Sequence, residues 1–470
     1  MTFSKKNKMS KQRTILKSVS LKGVGIHSGN EVNLTFKPAA EDFGYAFCRT
    51  DLPDKPIIEA DINYVVSTKR GTTLEKDGVT IQTSEHVLAA LVGMEVDNVL
   101  IEIDASEPPI MDGSSKYFVE AIIKAGIKEQ TKERNEYIVK DVISYYDEES
   151  GSDITIIPSK YYEVTAMVDF GTKILGTQNA TMKRLSQFKD EFADSRTFSF
   201  LHEIEMLLEN GLIKGGDLNN AIVYVDKELS EQTMEKLKKA FNKDKISVKS
   251  NGILDNLTLH YPNEAARHKL LDVIGDLSLL GLPIKGKITA SKPGHKNNTK
   301  FAKYLKNIMM EEIKKTPPEI NFNTPPLYDR KKIMSILPHR DPFLFIDEIR
   351  DLGKDFIVGT KFVAADEDYF KGHFPGEPVM PGVLQLETMA QAGGVLILST
   401  VENPENYLTF FMKIDNAKFK QKVVPGDTII FRLNLISPIR RGLCHMHGKG
   451  FVNGKIVVEA DLLAQIAPKK

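Results

Sequence analysis

The sequence predicts an α+β protein in two parts: two related layers of mixed sheet and helix, then a curved antiparallel sheet wrapped around one buried helix. Three observations carry that expectation. Strand-like alternation and amphipathic helices interleave in two successive stretches before residue 316. Residues 317–326, in Thr316-Pro317-Pro318-Glu319-Ile320-Asn321-Phe322-Asn323-Thr324-Pro325-Pro326, hold four prolines, which disfavour helix and stiffen extended chain. Beyond them comes a helix apolar on nearly every side, then strand upon strand. At 470 residues the chain has room for about two to four domains. The expected boundaries are a disordered tail (1–10), a first part (11–316, with halves of about 11–130 and 131–316), a joint (317–326) and a last part (327–470).

From Thr14 to Glu107 the pattern is mostly short strands, and Val32-Asn33-Leu34-Thr35-Phe36 alternates apolar and polar residues as a half-buried strand does. Glu85 to Met94 reads as a helix with Val87, Leu88, Leu91 and Val92 on one apolar face, and Val99 to Ile103 as a strand. A second helix, Tyr117 to Ala125, stops at Gly126, a C-cap residue. The next strand-rich stretch begins near Tyr137, with helices at Phe200–Asn210 and Ala265–Leu280. A lysine-rich helix from Met234 to Asn242 reads as a solvated face. After Pro326 a short helix, Arg330 to Leu337, leads into strands. The helix from about Pro381 to Ser399 must be buried, and Thr428–Leu433, Cys444–Val452 and Lys455–Ile466 are strands that would wrap it.

Lys+Arg and Asp+Glu balance at 63 each, so no net field draws the chain to nucleic acid or to an anionic membrane. No apolar run approaches the ~20 residues of a membrane span. None follows the basic segment Met1 to Arg13 as a signal-peptide core would, and Met9 offers a second start. Peripheral contact with a membrane stays open. Cys48 and Cys444 fall in different halves and form no disulfide framework, which fits a reducing cytoplasm.

Two acid–base constellations flank the joint, and a single active site does not need both. In the first, His268 and Asp272 stand four apart in a predicted helix and share a face, with Asp276 one turn on. With His86 as a third ligand, they give three protein ligands and an open position, the layout of a catalytic zinc site. Glu85, beside His86, would take a proton from metal-bound water. Periodicity alone favours a plainer account. Leu270, Leu271, Val273, Ile274 and Leu277 occupy the opposite face, so hydration of an amphipathic helix explains the polar stripe. Glu85-His86 at a helix start serves equally as dipole chemistry. On its own, His295 in Lys292-Pro293-Gly294-His295-Lys296 reads as a loop histidine. The order Glu85-His86 is not the His-Glu-x-x-His of a zinc protease.

The neighbouring words decide between these accounts. Gly23-Val24-Gly25-Ile26-His27-Ser28-Gly29, Thr83-Ser84-Glu85-His86-Val87-Leu88-Ala89-Ala90-Leu91 and Pro109-Ile110-Met111-Asp112-Gly113-Ser114 occur in order. Arg196-Thr197-Phe198, then Arg267-His268-Lys269 to Gly275-Asp276-Leu277, then Gly294-His295 follow. Together, over about residues 11–315, they resemble the zinc-dependent UDP-3-O-acyl-N-acetylglucosamine deacetylase of lipid A biosynthesis. The resemblance implies two α+β layers with Zn2+ between them on His86, His268 and Asp272. It implies Glu85 as general base and His295 as general acid to the leaving amine, oriented and kept cationic by Asp276. Thr197 would help hold the oxyanion, Phe170 and Phe198 would flank the sugar, and Lys269 would face the diphosphate of the UDP-linked acylated glucosamine. Phe198 to Leu212, with Phe200, Met206 and Leu207, is similar to the family's acyl-chain passage, although such spacing is also that of plain core.

The second constellation is the loop Gly372-His373-Phe374-Pro375-Gly376-Glu377-Pro378-Val379-Met380-Pro381-Gly382, followed by Glu387 in the apolar helix. A carboxylate there is costly unless partnered. A histidine base with a hydrogen-bonded carboxylic acid suits removal of a proton α to a carbonyl with loss of a β-hydroxyl. The plainer account pairs Glu387 with backbone or with an arginine such as Arg340, and leaves His373 as a loop residue. Leu337-Pro338-His339-Arg340-Asp341-Pro342-Phe343-Leu344-Phe345-Ile346-Asp347 and the His373–Leu384 loop look like the 3-hydroxyacyl-[acyl-carrier-protein] dehydratase of fatty acid elongation, from about Leu327 to Ala467. That resemblance implies the hot-dog fold and acyl carrier protein as partner. It implies His373 as base, Glu387 as activator of the departing hydroxyl and the Gly382 N–H as polariser of the thioester carbonyl. It also places the histidine and the glutamate in opposite subunits, hence at least a homodimer, often a trimer of dimers. Glutamate rather than aspartate at 387 favours dehydration without isomerisation. The combined expectation is a bifunctional cytoplasmic enzyme, hydrolase and lyase. The competing readings make the hot-dog part a thioesterase or an oligomerising scaffold, or the whole chain a non-catalytic acyl-binding protein.

Overall fold

A computed structural model of the chain describes residues 10–209, 220–226, 230–241, 247–249, 252–254 and 257–469. The expected disorder of residues 1–9, and the end of the expected acyl passage beyond residue 209, lie outside them. The chain divides into two compact units, Met1–Asn307 and Ile308–Lys470.

The first unit contains two main sheets, each with its helices. Strands β1 (Val19–Val24), β2 (Glu31–Pro38), β3 (Tyr45–Arg49), β4 (Ile57–Glu59) and β5 (Val99–Ile103) pair in the order β1-β2-β5-β3-β4. In β2 the side chains of Val32, Leu34 and Phe36 are buried and those between them are not, as the alternation requires. Helix α1 (Glu85–Gly93) departs from the one-faced expectation, because every residue except Val92 is buried. Its Ala89, Ala90 and Gly93 are small enough for neighbours to close around it. Helix α2 (Lys116–Ala125) ends on Gly126, whose φ of 73° is cheap only for glycine.

The second sheet is built from β6 (Ile143–Asp147), β7 (Ser152–Ile157), β8 (Tyr162–Asp169) and β9 (Thr177–Met182). After it, β10 (Phe198–Phe200) and β11 (Ile222–Tyr224) pair in parallel, with α3 (Leu201–Glu209) following β10. Next come α4 (Glu264–Ser278) and β12 (Ile284–Ser291), and β12 enters the sheet to give the path β6-β7-β12-β8-β9. The hydration account of α4 fails here: His268, Asp272 and Asp276 are 2%, 1% and 0% exposed, as buried as the leucine face. Nor is His295 in a loop, because it opens the 21-residue helix α5 (His295–Lys315) directly after the breaker pair Pro293-Gly294. The lysine-rich helix spans Glu231–Phe241.

In the second unit, α6 (Arg330–Ile336) is capped by Asp329, whose side chain accepts from the Lys332 N–H at 2.7 Å. The remaining elements are β13 (Glu348–Leu352), β14 (Phe356–Phe362), α7 (Gly382–Leu398), β15 (Tyr407–Phe419), β16 (Thr428–Leu435), β17 (Leu443–Val452) and β18 (Lys455–Pro468). The six strands are antiparallel in the order β13-β14-β16-β17-β18-β15. They enclose α7, whose Met389, Ala392, Val395 and Leu396 join Phe431, Leu433, Met446 and Leu462 in one core. Part of the proline-rich stretch packs on this unit: the Arg350 guanidinium lies 4.8 Å over the Phe322 ring and donates to the Thr324 carbonyl at 2.8 Å. Among the described residues no helix is long and apolar enough to cross a membrane.

Candidate active sites

In the first unit the two helices that carry the chemistry touch backbone to backbone. A Cβ on Gly275 of α4 would sit 2.2 Å from the Glu85 carbonyl of α1, so only glycine permits this approach. The approach brings His86 from the first turn of α1 beside His268 and Asp272, one turn apart on α4. One ligand atom from each of the three falls within 4.8 Å of the others. The Asp272 Oδ1 lies 3.4 Å from His268 Nε2 and 3.8 Å from His86 Nε2.

The electrostatics of these three groups fit a cation. Burial, and then His268, push the His86 imidazole down to about 3, so it is neutral at ordinary pH. Burial lowers His268 as well. Its Nδ1–H donates to the Ser195 carbonyl at 3.0 Å, which leaves Nε2 as a lone pair facing the cluster. Burial alone would raise Asp272, but Lys269, His268, His295 and His86 together hold it far below the usual carboxylate range. Its Oδ2 accepts from Lys269 Nζ at 2.8 Å, while its buried Oδ1 accepts no hydrogen bond from the described residues. A buried anionic oxygen without a donor is costly. Two neutral imidazoles and a carboxylate are a donor set for a divalent metal, so the residues present fit one.

Beside the cluster stands an acid–base pair. Burial raises Glu85 to about 7, His295 works against that, and Asp276 and Asp272 add to it. His295 is raised to about 10: burial opposes the cation, but Asp276, Glu85 and Asp272 outweigh it. The position of His295 at a helix N-terminus also disfavours a positive charge, so the acids must overcome that too. His295 Nδ1 lies 3.0 Å from Asp276 Oδ2, and its Nε2 3.8 Å from Glu85 Oε1.

Several residues that build this site escaped the sequence reading. Thr72 donates its N–H to Glu85 Oε2 at 2.9 Å and its hydroxyl to Asp276 Oδ1 at 2.5 Å, so one residue holds Glu85 and the carboxylate that pairs with His295. Asn298 donates to Asp276 Oδ2 at 2.8 Å. Glu264, fully buried, accepts from Arg196 Nε at 2.8 Å and Nη2 at 3.2 Å, tying the segment that presents the Ser195 carbonyl to the ligand helix. Glu264→Ala leaves the buried guanidinium of Arg196 without its anion. We expect it to destabilise the first unit by about 3–5 kcal/mol, measured by denaturant unfolding.

The other expected residues surround the cluster. The Phe170 and Phe198 rings meet edge to face at 5.4 Å, and Phe198 lies 6.3 Å from the His268 ring. Lys269 reaches over Phe198 at 5.4 Å but is turned onto Asp272. Thr197 is fixed through its backbone, its N–H donating to the Gly113 carbonyl and its own carbonyl accepting from the Ile222 N–H. Phe200 is buried and Met206 about half exposed at 53%. Nothing can be placed at Leu207, whose side chain is outside the described set.

In the second unit, His373 Nδ1 lies 2.8 Å from the Val379 carbonyl, so Nδ1–H is the donor and Nε2 is free to accept a proton. Gly382 is the first residue of α7, where a helix leaves its amides without intrahelical acceptors. Glu387 is half-buried and does not meet Arg340, whose Nη1 donates to the carbonyls of Leu337 and His339 instead. It meets Gln391, one turn on, with Nε2 at 2.9 Å from Oε1. Gln391 is itself saturated: Nε2 also donates to the Phe343 carbonyl at 2.8 Å, and Oε1 accepts from the N–H groups of Phe345 and Ile346 at 2.8 and 3.3 Å. His339 Nε2 comes to 3.5 Å from the same Glu387 Oε1. His373 and Glu387 of one chain share no hydrogen bond or ion pair; each has the partners just named.

Comparison with known proteins adds the following. Residues 12–246 and 232–307 match the family model of UDP-3-O-acyl N-acetylglycosamine deacetylase, LpxC, and residues 337–461 match the FabA-like domain. The chain is 47% identical to a Bacteroides thetaiotaomicron protein named bifunctional enzyme LpxC/FabZ, over 98% of this chain and 100% of that one. It is 45% identical to the Porphyromonas gingivalis protein of the same name, with 98% and 100% covered. A Myxococcus xanthus UDP-3-O-acyl-N-acetylglucosamine deacetylase is 38% identical over 62% of this chain and 85% of its own length.

Proposed function

Since the chain belongs to the bifunctional LpxC/FabZ family, a lipid A deacetylase fused to a 3-hydroxyacyl-[acyl-carrier-protein] dehydratase, we propose that each constellation performs one of those reactions. The deacetylase occupies residues 11–316 and the dehydratase 327–470, joined by 317–326. The metal is zinc, held by His86, His268 and Asp272, and when bound it supplies Lewis-acid polarisation of water and of the N-acetyl carbonyl. Glu85 takes the proton of the attacking water. His295, held cationic by Asp276, gives a proton to the leaving amine of the UDP-linked acylated glucosamine. Thr197 donates to the oxyanion, Phe170 and Phe198 flank the sugar, and Lys269 turns from Asp272 to the diphosphate when substrate enters. The observation that carries this reading is the buried, donorless Asp272 Oδ1 facing two neutral imidazoles.

In the dehydratase, His373 Nε2 removes the α-proton of the 3-hydroxyacyl thioester, Glu387 protonates the departing hydroxyl, and the Gly382 N–H polarises the carbonyl. Acyl carrier protein delivers the substrate, and both reactions take place in the cytoplasm. The site is completed by a second copy of the chain. Strand β15 lies at the sheet edge and exposes Phe410, Phe411, Met412, Ile414 and Phe419, an apolar edge that a monomer would not leave in water. A homodimer formed there, or a trimer of such dimers, covers it.

The purified protein, assayed with both substrates, tests the proposal. Acetate release and enoyl thioester formation support it. Free thiol release makes the second unit a thioesterase, and assembly without turnover makes it a scaffold.

The acid–base pair has a sign that pH will reveal. Deacetylation needs ionised Glu85, so activity rises with pH through a limb at or below about 7, since a bound cation moves that limb lower. It needs protonated His295, so activity falls again through a limb at or below about 10, because the same bound cation also moves this limb lower. Asp276→Asn removes the leading stabiliser of that cation, and the falling limb of kcat/KM moves to lower pH.

A further inference from the structure

The dehydratase mechanism leaves one neighbour of Glu387 without a task. His339 lies in the loop after α6, its Nε2 3.5 Å from Glu387 Oε1, the oxygen that already accepts from Gln391 Nε2 at 2.9 Å. The other ring nitrogen, Nδ1, is buried and has no hydrogen-bond partner among the described residues. That asymmetry fixes the tautomer. A buried Nδ1–H without an acceptor forfeits a hydrogen bond, whereas a proton on Nε2 has Glu387 Oε1 as its neighbour at 3.5 Å. Burial lowers the His339 pKa, Glu387 opposes that and Arg340 adds to it, so the ring is neutral. The loop is pinned by Arg340, which donates to the Leu337 and His339 carbonyls at 2.9 and 2.7 Å.

We propose that His339 is a positioning residue of the dehydratase: with Gln391 it donates to Glu387 Oε1 and thereby assigns the acid proton of Glu387 to Oε2. This rests on the dehydratase reading above. A carboxylic acid oxygen that accepts two N–H donors is its carbonyl oxygen, so the O–H stands on the other one. In the reaction the Cα–H proton passes to His373 of the partner subunit, the Cβ–O bond breaks, and the Oε2 proton leaves with the hydroxyl as water. The resulting carboxylate then spreads its charge over Oε1, where Gln391 already donates and His339 stands at 3.5 Å, so this arrangement favours the state that catalysis forms. The 3.5 Å contact is long for a hydrogen bond, and it has to shorten in the substrate complex for His339 to donate.

His339→Met, matched in shape to His339→Gln, separates donation from packing. Without the donor we expect kcat for dehydration to fall about 10- to 100-fold with KM within about twofold, and His339→Gln to recover most of the loss. Deacetylation by the same chain and the mass of the assembly serve as controls for folding. Normal turnover in His339→Met overturns the proposal, as does an equal loss in both variants, which would mean packing rather than donation. Should His339→Met fail to assemble, His339→Phe takes its place as the donor-free variant. Absence of dehydration in the unsubstituted protein instead overturns the dehydratase reading.

Discussion

His268→Ala is expected to empty the metal site and lower deacetylation by about a thousandfold or more, with dehydration unchanged. The size follows from what is lost together: one of the three proposed ligands, and with it the several kcal/mol of charge stabilisation that a metal contributes at a carbonyl. Loss of the His268 imidazole also leaves Asp272 Oδ1 with a single imidazole neighbour, His86, at 3.8 Å. Lys269, already on Oδ2 at 2.8 Å, would then hold the carboxylate more firmly and compete with any residual metal. Metal content by plasma emission and both turnover rates on one preparation decide the matter. Retention of metal with lost activity would move His268 from ligand to acid–base chemistry. Loss of dehydration as well, with the protein still folded, would show that the two sites are coupled.

How far the sequence reached is clearest on helix α4. The four-residue spacing of His268, Asp272 and Asp276 states that they share a face, and that held. Periodicity does not state what covers the face. Hydration was the economical guess, and it failed because α1 lies against α4 at Gly275. His295 misled for a related reason: Pro293-Gly294 announces a break but is silent on whether a helix begins immediately after it. Thr72 was invisible, since its partner Asp276 is 204 positions away and threonine carries no signature of its own. At Glu387 the rule that a carboxylate on an apolar helix needs a partner was right, but Arg340 was the wrong one. Gln391, four residues on, was the readable signal, because residues i and i+4 of a helix adjoin. His339 stood inside a quoted motif, and only the fold sets it against α7.

His373→Ala and Glu387→Ala, each inactive as a dehydratase alone, are expected to restore about one quarter of the wild-type site activity when mixed and allowed to exchange subunits. The fraction is a count. Random pairing of equal amounts makes half of the dimers mixed, and each mixed dimer combines the intact histidine of one chain with the intact glutamate of the other in one of its two sites. The arithmetic works only if the two residues act across the interface. That is how we read a chain in which His373 bonds Val379, Glu387 bonds Gln391 and neither reaches the other. If both residues served the same chain, mixing would restore nothing, since every chain would lack one of them. Exchange must be demonstrated independently, by the mass of dimers formed between tagged and untagged chains. In the proposed homodimer the apolar edge of β15, with Phe410, Phe411 and Met412 at 50%, 41% and 55% in the single chain, would make spontaneous exchange slow, because separating the chains would return those side chains to water. Mild denaturant followed by dilution, or co-expression of the two variants, supplies the mixed dimer, and the deacetylase activity common to every chain gives the protein concentration against which recovery is scaled.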